Sequence, residues 1–180
     1  MKLLTFIFAV AYATQSWACL SRPIQGVDLK TGNEIALEPK KDHPLVAVFL
    51  SPECPCSMSH EKTLIKLAKK FPNATFVGIH ANTNEAEDES RRYFSRSPLN
   101  FPVIRDQNSK LANELGALRT PHVFVIGEKN ECLYRGGVDD SHTTENAETA
   151  HLENALIDIT AGKKPRTPTT RALGCMIERS

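Results

Sequence analysis

Residues 45–50, Leu45-Val46-Ala47-Val48-Phe49-Leu50, form a continuous apolar run, and Ser51-Pro52-Glu53-Cys54-Pro55-Cys56 follows it directly. A run of this length with prolines on both sides is the pattern of a buried strand. Beyond it, Leu64, Leu67, Ala68 and Phe71 recur at helical spacing, which predicts a helix over about residues 57–71. Cys54 therefore sits at a strand-to-helix junction, where unpaired backbone N–H groups and the positive helix end favour thiolate over thiol. Pro55 suits the first helical position, because an N–H there has no intrahelical partner. Two cysteines separated by one proline on such a turn point to redox or metal chemistry. A purely structural buried pair has no need of a helix start.

Composition narrows the class further. The chain has 180 residues, 41% hydrophobic and 24% charged, as in a single domain with one sizeable core. Its formal net charge is +1 and no Lys/Arg block stands out. Neither nucleic acid nor an anionic membrane surface is an expected partner.

The N-terminus reads as an export signal. Lys2 precedes an apolar stretch from Leu3 to Ala13, and Ser16-Trp17-Ala18 offers small residues at the two positions a signal peptidase reads. The stretch is too short to span a bilayer as a helix. Cleavage after Ala18 makes Cys19 the first mature residue and removes the only Trp. A lipid anchor on Cys19 is the competing reading, although Ser16 stands where bacterial lipoprotein signals usually carry a Leu-like residue. Export to the periplasm or another extracytoplasmic space puts five cysteines, Cys19, Cys54, Cys56, Cys132 and Cys175, where disulfides persist. The number is odd, so at least one thiol stays free, reacts or is modified.

Four segments are expected: a signal peptide over residues 1–18, a leader with a β-hairpin over 19–43, a main domain over 44–162, and a tail over 163–180 carrying Cys175. In the leader, strand patterns at 26–29 and 34–37 flank the turn Lys30-Thr31-Gly32-Asn33. The main domain alternates: a buried strand at 74–79, a helix over about 85–94, a short strand at 101–104, and a brief helix with Leu111 and Leu115, capped by Asp106 or Asn108. A hairpin over 121–135 and an amphipathic helix with Leu152, Ala155, Leu156 and Ile159 close it. The tail shows no periodicity. Such an order implies an α/β fold, a central mixed sheet with helices on both faces. Cys54 then lies at the C-terminal end of a central strand, where ligands collect in open α/β sheets.

Those features together resemble the thioredoxin-like superfamily over residues 26–162. Thr120-Pro121 ahead of a hairpin is similar to the cis-proline loop that faces the active cysteine there. Extra strand–helix material between Cys56 and Pro121 resembles the redoxin branch, which includes peroxiredoxins and exported thiol–disulfide oxidoreductases. The ending is similar to that of exported redoxin-domain proteins with a Gly-Cys-x-Ile tail: Tyr134-Arg135-Gly136-Gly137-Val138-Asp139-Asp140, a helix, then Gly174-Cys175-Met176-Ile177.

The resemblance implies an exported thiol–disulfide oxidoreductase acting on protein thiols or disulfides or on a small thiol reductant, with no cofactor. Cys54 is the expected nucleophile, and Cys56 or Cys175 the resolving thiol. Thr120 and Pro121 would offer backbone hydrogen bonds to an incoming peptide or mixed disulfide. Thioredoxin-type enzymes use Cys-x-x-Cys, whereas this chain has Cys-x-Cys, whose direct disulfide would close a small strained ring. Cys175, on an aperiodic tail beside Gly174, is expected to travel and to pair with Cys54 or Cys56, as redox partner or as a static staple. Cys132, inside a strand pattern, reads as a small core or edge residue. The peroxiredoxin pattern, Pro and Thr at seven and three positions before the cysteine, is not kept: Ala47 and Ser51 stand there ahead of Cys54, and Phe49 and Glu53 ahead of Cys56, so a thiol peroxidase is the weaker alternative.

A second function class is a non-enzymatic copper-binding or metal-delivery module on the same fold. Thiolates and imidazole suit copper or zinc, and His60 and His80 are the histidines near Cys54 and Cys56. Copper-delivery relatives space their cysteines Cys-x-x-x-Cys, so no metal ligands are assigned here and both histidines read as surface or cap residues. Asp139-Asp140 reads as a capped or solvated loop.

Overall fold

The structure is a computed structural model that describes residues 18–179. Residues 1–17, which carry most of the expected export signal, lie outside the described residues. A hairpin of β1 (Ile24–Val27) and β2 (Glu34–Leu37) leads into a sheet of β3 (Leu45–Phe49), β4 (Thr75–His80), β5 (Val103–Arg105), β7 (His122–Ile126) and β8 (Cys132–Gly136). Its five strands run in the order β5-β4-β3-β7-β8. β3, β4 and β5 are parallel, whereas β7 and β8 are antiparallel to their neighbours. This is the mixed α/β sheet that the alternation of patterns implies.

β3 is buried along its whole length because helices cover both faces of the sheet. On one face Val46, Val48 and Leu50 pack with Leu64 and Leu67 of α1 (Pro55–Lys70), Phe94 of α2 (Glu87–Arg96), and Leu152 and Leu156 of α4 (His151–Thr160). On the other, Leu45, Ala47 and Phe49 pack with Leu111, Ala112 and Leu115 of α3 (Lys110–Leu115) and with Leu20 and Ile24. The alternation of side chains along a strand separates the two layers. Asp106 caps the start of α3, its carboxylate accepting the Leu111 and Ala112 N–H groups at 2.9 Å.

Two features differ from the sequence reading. Cys132 is bonded to Cys19 in a disulfide that spans 113 residues. Cys132 is therefore not a lone core or edge residue, and the bridge occupies the sulfur that a lipid anchor on Cys19 needs. The tail is also not loose. Arg135 N–H donates to Pro168 O and Thr170 N–H to Arg135 O, each at 3.0 Å, which fastens the tail along β8. It then forms β9 (Cys175–Met176), antiparallel to β6 (Arg119–Thr120), with Ile177 buried in the second core layer. The tail lacks periodicity because single contacts along a sheet edge hold it, not a face of its own.

Candidate active site

Cys54 caps the N-terminus of α1, with extended dihedrals (φ −92°, ψ 111°) and Pro55 in the first turn. Its side chain is 1% exposed. The thiol donates to Thr120 O at 3.0 Å, across the Thr120-Pro121 bond, which is cis. Thr120 in turn faces Cys175 in the β6–β9 register. The Cys54, Cys56 and Cys175 sulfurs consequently lie within 4.8 Å of one another, and all three are free thiols. A strand edge, a helix start and the tail meet at one point.

Gly174 makes that meeting possible. Its φ is +148°, and a Cβ there would stand 2.0 Å from Thr120 O. Only a residue without a side chain lets the tail backbone pass so close. Arg119 holds the crossing from the other side, its guanidinium donating to Gly174 O at 2.8 Å.

The three thiols are electrostatically unequal. Burial opposes a Cys54 thiolate, but hydrogen bonds from the Cys175 thiol, the Thr120 hydroxyl and the Ser57 and Cys175 N–H groups outweigh it and hold Cys54 below the ordinary thiol range. The Thr120 hydroxyl is buried and has no nitrogen or oxygen partner, so its role as donor begins when Cys54 ionises. Burial and then the adjacent Cys54 charge raise Cys56. Burial, donation to Cys54 and the charges on Cys54 and Cys56 push Cys175 up to about 12. One thiolate flanked by two thiols is the favoured arrangement.

A polar network steadies the turn from below. Ser51 N–H donates to Ser57 Oγ at 3.1 Å, and the Ser51 hydroxyl donates to Glu85 at 2.6 Å. Asn82 also donates to Glu85, while its own carbonyl accepts Glu178 N–H at 3.2 Å. The chain of contacts thus runs from the cysteine turn back to the tail that carries Cys175.

Neither histidine singled out in the sequence is a free ligand. His60 is buried, with Nδ1 facing Cys56 O at 2.6 Å and Nε2 facing Asp139. Asp139 is therefore buried and paired, not the solvated cap its sequence suggests. His80 is 0% exposed, between Leu50 O and the Ser90 hydroxyl. Burial, then the nearby Arg105 charge, lowers it to about 4. The histidine that does reach a cysteine is His142, whose Nδ1 lies 3.6 Å from Cys56 Sγ. It stands on the loop after β8, and nothing in its local sequence marks it.

A cysteine on a strand-to-helix turn, facing a cis-proline loop across a mixed sheet, is the setting the sequence resemblance implied. The family model described as Redoxin matches residues 23–156. The chain belongs to the redoxin family. No curated protein matches the sequence. Among solved structures, an uncharacterized conserved protein from Geobacillus kaustophilus superposes with a TM-score of 0.80 at 22% identity, covering 92% of each chain. A hypothetical protein from Sinorhizobium meliloti gives 0.78 at 23% identity, over 91% of this chain and 94% of that one. A secreted disulfide oxidoreductase of Mycobacterium tuberculosis, described as homologous to E. coli DsbE, gives 0.56 at 18% identity, over 74% and 94%. At these identities the likeness shows the fold, a thioredoxin-like one.

Proposed function

We propose that this redoxin is an exported thiol–disulfide oxidoreductase in which Cys54 attacks and Cys175 resolves. The observation that carries the reading is the convergence of the three sulfurs within 4.8 Å, with Cys54 alone held below the ordinary thiol range. The Cys54 thiolate attacks one sulfur of a substrate disulfide; that S–S bond breaks, a mixed disulfide forms, and the other substrate sulfur leaves as a thiolate. Cys175 then gives up its proton and attacks the Cys54 sulfur, releasing the second substrate thiol and closing a Cys54–Cys175 disulfide. Two electrons pass from the protein to the substrate, and the reverse steps oxidise a dithiol. Cys56 is the poorer resolving group, since a disulfide with Cys54 would close a small strained ring across Pro55.

Thr120 differs from the role the resemblance implied. Its strand edge is already paired with β9, and Cys54 is buried beneath that pairing. A peptide that hydrogen-bonds to Thr120 and Pro121 has to displace β9 first, whereas a small disulfide needs only a brief lift of the tail. Export, with cleavage after Ala18, rests on the N-terminal sequence and on the Cys19–Cys132 disulfide, a bond that persists in oxidising compartments. The secreted oxidoreductase from M. tuberculosis on the same fold supports it.

The test is a trapping experiment with Cys175→Ser and an aromatic disulfide reagent. A mixed disulfide is expected to accumulate on Cys54, read by peptide mass. Adducts on Cys56 alone, or equal turnover by Cys54→Ser, would overturn the assignment.

A further inference from the structure

The same three sulfurs have the makings of a metal centre, and this inference rests on the thiol cluster without requiring turnover. Thiolates are soft donors that select Cu(I), zinc or iron–sulfur chemistry. Metal–sulfur bonds of about 2.3 Å place the sulfurs of a trigonal site about 4 Å apart. Cys54, Cys56 and Cys175 start within 4.8 Å, so a small contraction of the cluster brings them onto one ion. A fourth donor is not among them: His60 and His80 are each engaged at both ring nitrogens. His142 approaches Cys56 alone. A closed structural zinc site takes four protein ligands, and zinc on these three would need a water as its fourth, while a monovalent soft ion is content with three sulfurs.

We propose that the reduced protein binds one Cu(I) ion through Cys54, Cys56 and Cys175, with His142 as an outer partner of the Cys56 sulfur. The ion binds without change of oxidation state, and each ligating thiol passes its proton to solvent. A Cys54–Cys175 disulfide removes two of the three donors, so copper binding and oxidation exclude each other. Cys54, 1% exposed beneath β9, covers one side of a bound ion, while Cys56 and Cys175 are half-buried. Outer partners of metal ligands typically change affinity by about 10–100-fold, the loss expected for His142→Ala.

An anaerobic titration of the reduced, metal-free chain against a chromophoric Cu(I) chelator tests this. One Cu(I) per chain should be withdrawn from the chelator, with a new ultraviolet sulfur-to-copper band. Stoichiometric binding should vanish in Cys56→Ser and in Cys175→Ser. Wild-type protein oxidised at Cys54–Cys175 should also fail to bind, a comparison that needs no substitution. Failure to compete with the chelator, or unchanged binding in either variant or in the oxidised protein, would overturn the site. Disulfide exchange measured on the metal-free wild type separates the two readings, because exchange without copper binding rejects only the copper site.

Discussion

His60 Nε2 lies 3.0 Å from both carboxylate oxygens of Asp139, a residue 79 positions further along the chain. Its other nitrogen faces Cys56 O at 2.6 Å, so both ring nitrogens are engaged within the fold. Asp139 also accepts Ser141 N–H at 3.0 Å. The pair ties the first turn of α1 to the loop after β8, and both side chains are buried. Asp139→Asn keeps the shape but weakens the pairing, and His60→Ala removes it; each should cost about 1–3 kcal/mol in urea unfolding. The double variant should cost clearly less than the sum. Strict additivity would mean the two residues act independently.

Cys54 should be the first of the three thiols to be alkylated as pH rises, with its midpoint below the others, because donated hydrogen bonds overcome its burial. Cys175, pushed up to about 12, should react last. Thr120→Val deletes a donor to the thiolate while keeping the side-chain shape. At neutral pH it should slow Cys54 alkylation by on the order of tenfold, the equivalent of one charge-assisted hydrogen bond. Rates read residue by residue by mass spectrometry check this, and an unaffected rate would remove Thr120 from the site.

Cys132→Ser opens the bridge to Cys19, which closes a loop of 113 residues. In the chain-entropy model such a closure is worth about 4–5 kcal/mol, and often less in practice. The variant should unfold at markedly lower denaturant while keeping the pH dependence of Cys54 alkylation, since the bridge lies apart from the thiol cluster. Equal loss of both would show that the bridge also positions the site.

Much of this architecture is legible in the sequence because it is local. β3, β4 and the β7–β8 hairpin are dense apolar runs, and α1 shows its buried face at Leu64 and Leu67. Cys54 is legible for the same reason, since strand, turn and helix are contiguous around it. What escapes is pairing at long range. β9 is two residues long, too short to carry a period of its own. Its existence depends on Gly174 passing Thr120. The Cys19–Cys132 bond, the His60–Asp139 pair and the approach of His142 to Cys56 join distant segments through contacts that leave no local pattern.

Acid should weaken the fold through two histidines, His80, which is buried, and His122, which is partly buried. Burial lowers His80 and His122 to about 4, assisted by the charges of Arg105 and Arg135 respectively. Below the ordinary histidine value of about 6.5 the unfolded chain takes up protons that the folded one refuses. Their contribution is thus complete above that pH and declines towards pH 4, by on the order of 3 kcal/mol per histidine. Glu61 and Asp106, both raised by burial, offset part of the loss because they protonate more readily when folded. Comparison with His80→Gln isolates one histidine: the cost of the substitution should shrink as pH falls from 7 to 4. A cost independent of pH would place His80 in an open, titratable setting.

Gly174→Ala is the sharpest single test of the tail. The added methyl meets Thr120 O at 2.0 Å and Thr120 C at 2.8 Å, both backbone atoms with no freedom to rotate away. Something must move, and the lightest element is β9, two residues at the end of the chain. As β9 shifts from β6, Cys175 leaves the Cys54 sulfur. A displacement of about 1 Å at reacting atoms lowers rates by on the order of 100-fold, so closure of the Cys54–Cys175 disulfide should slow by that factor. Gly32→Ala supplies the comparison, because Gly32 also has a positive φ, +78°, but nothing lies within 4 Å of its added Cβ. It should cost about 1 kcal/mol of stability and leave disulfide closure unchanged. Closure is followed by quenched alkylation and non-reducing peptide mapping. Equal rates in Gly174→Ala and wild type would mean that Cys175 reaches Cys54 without the β6–β9 pairing, and that the tail is not its guide.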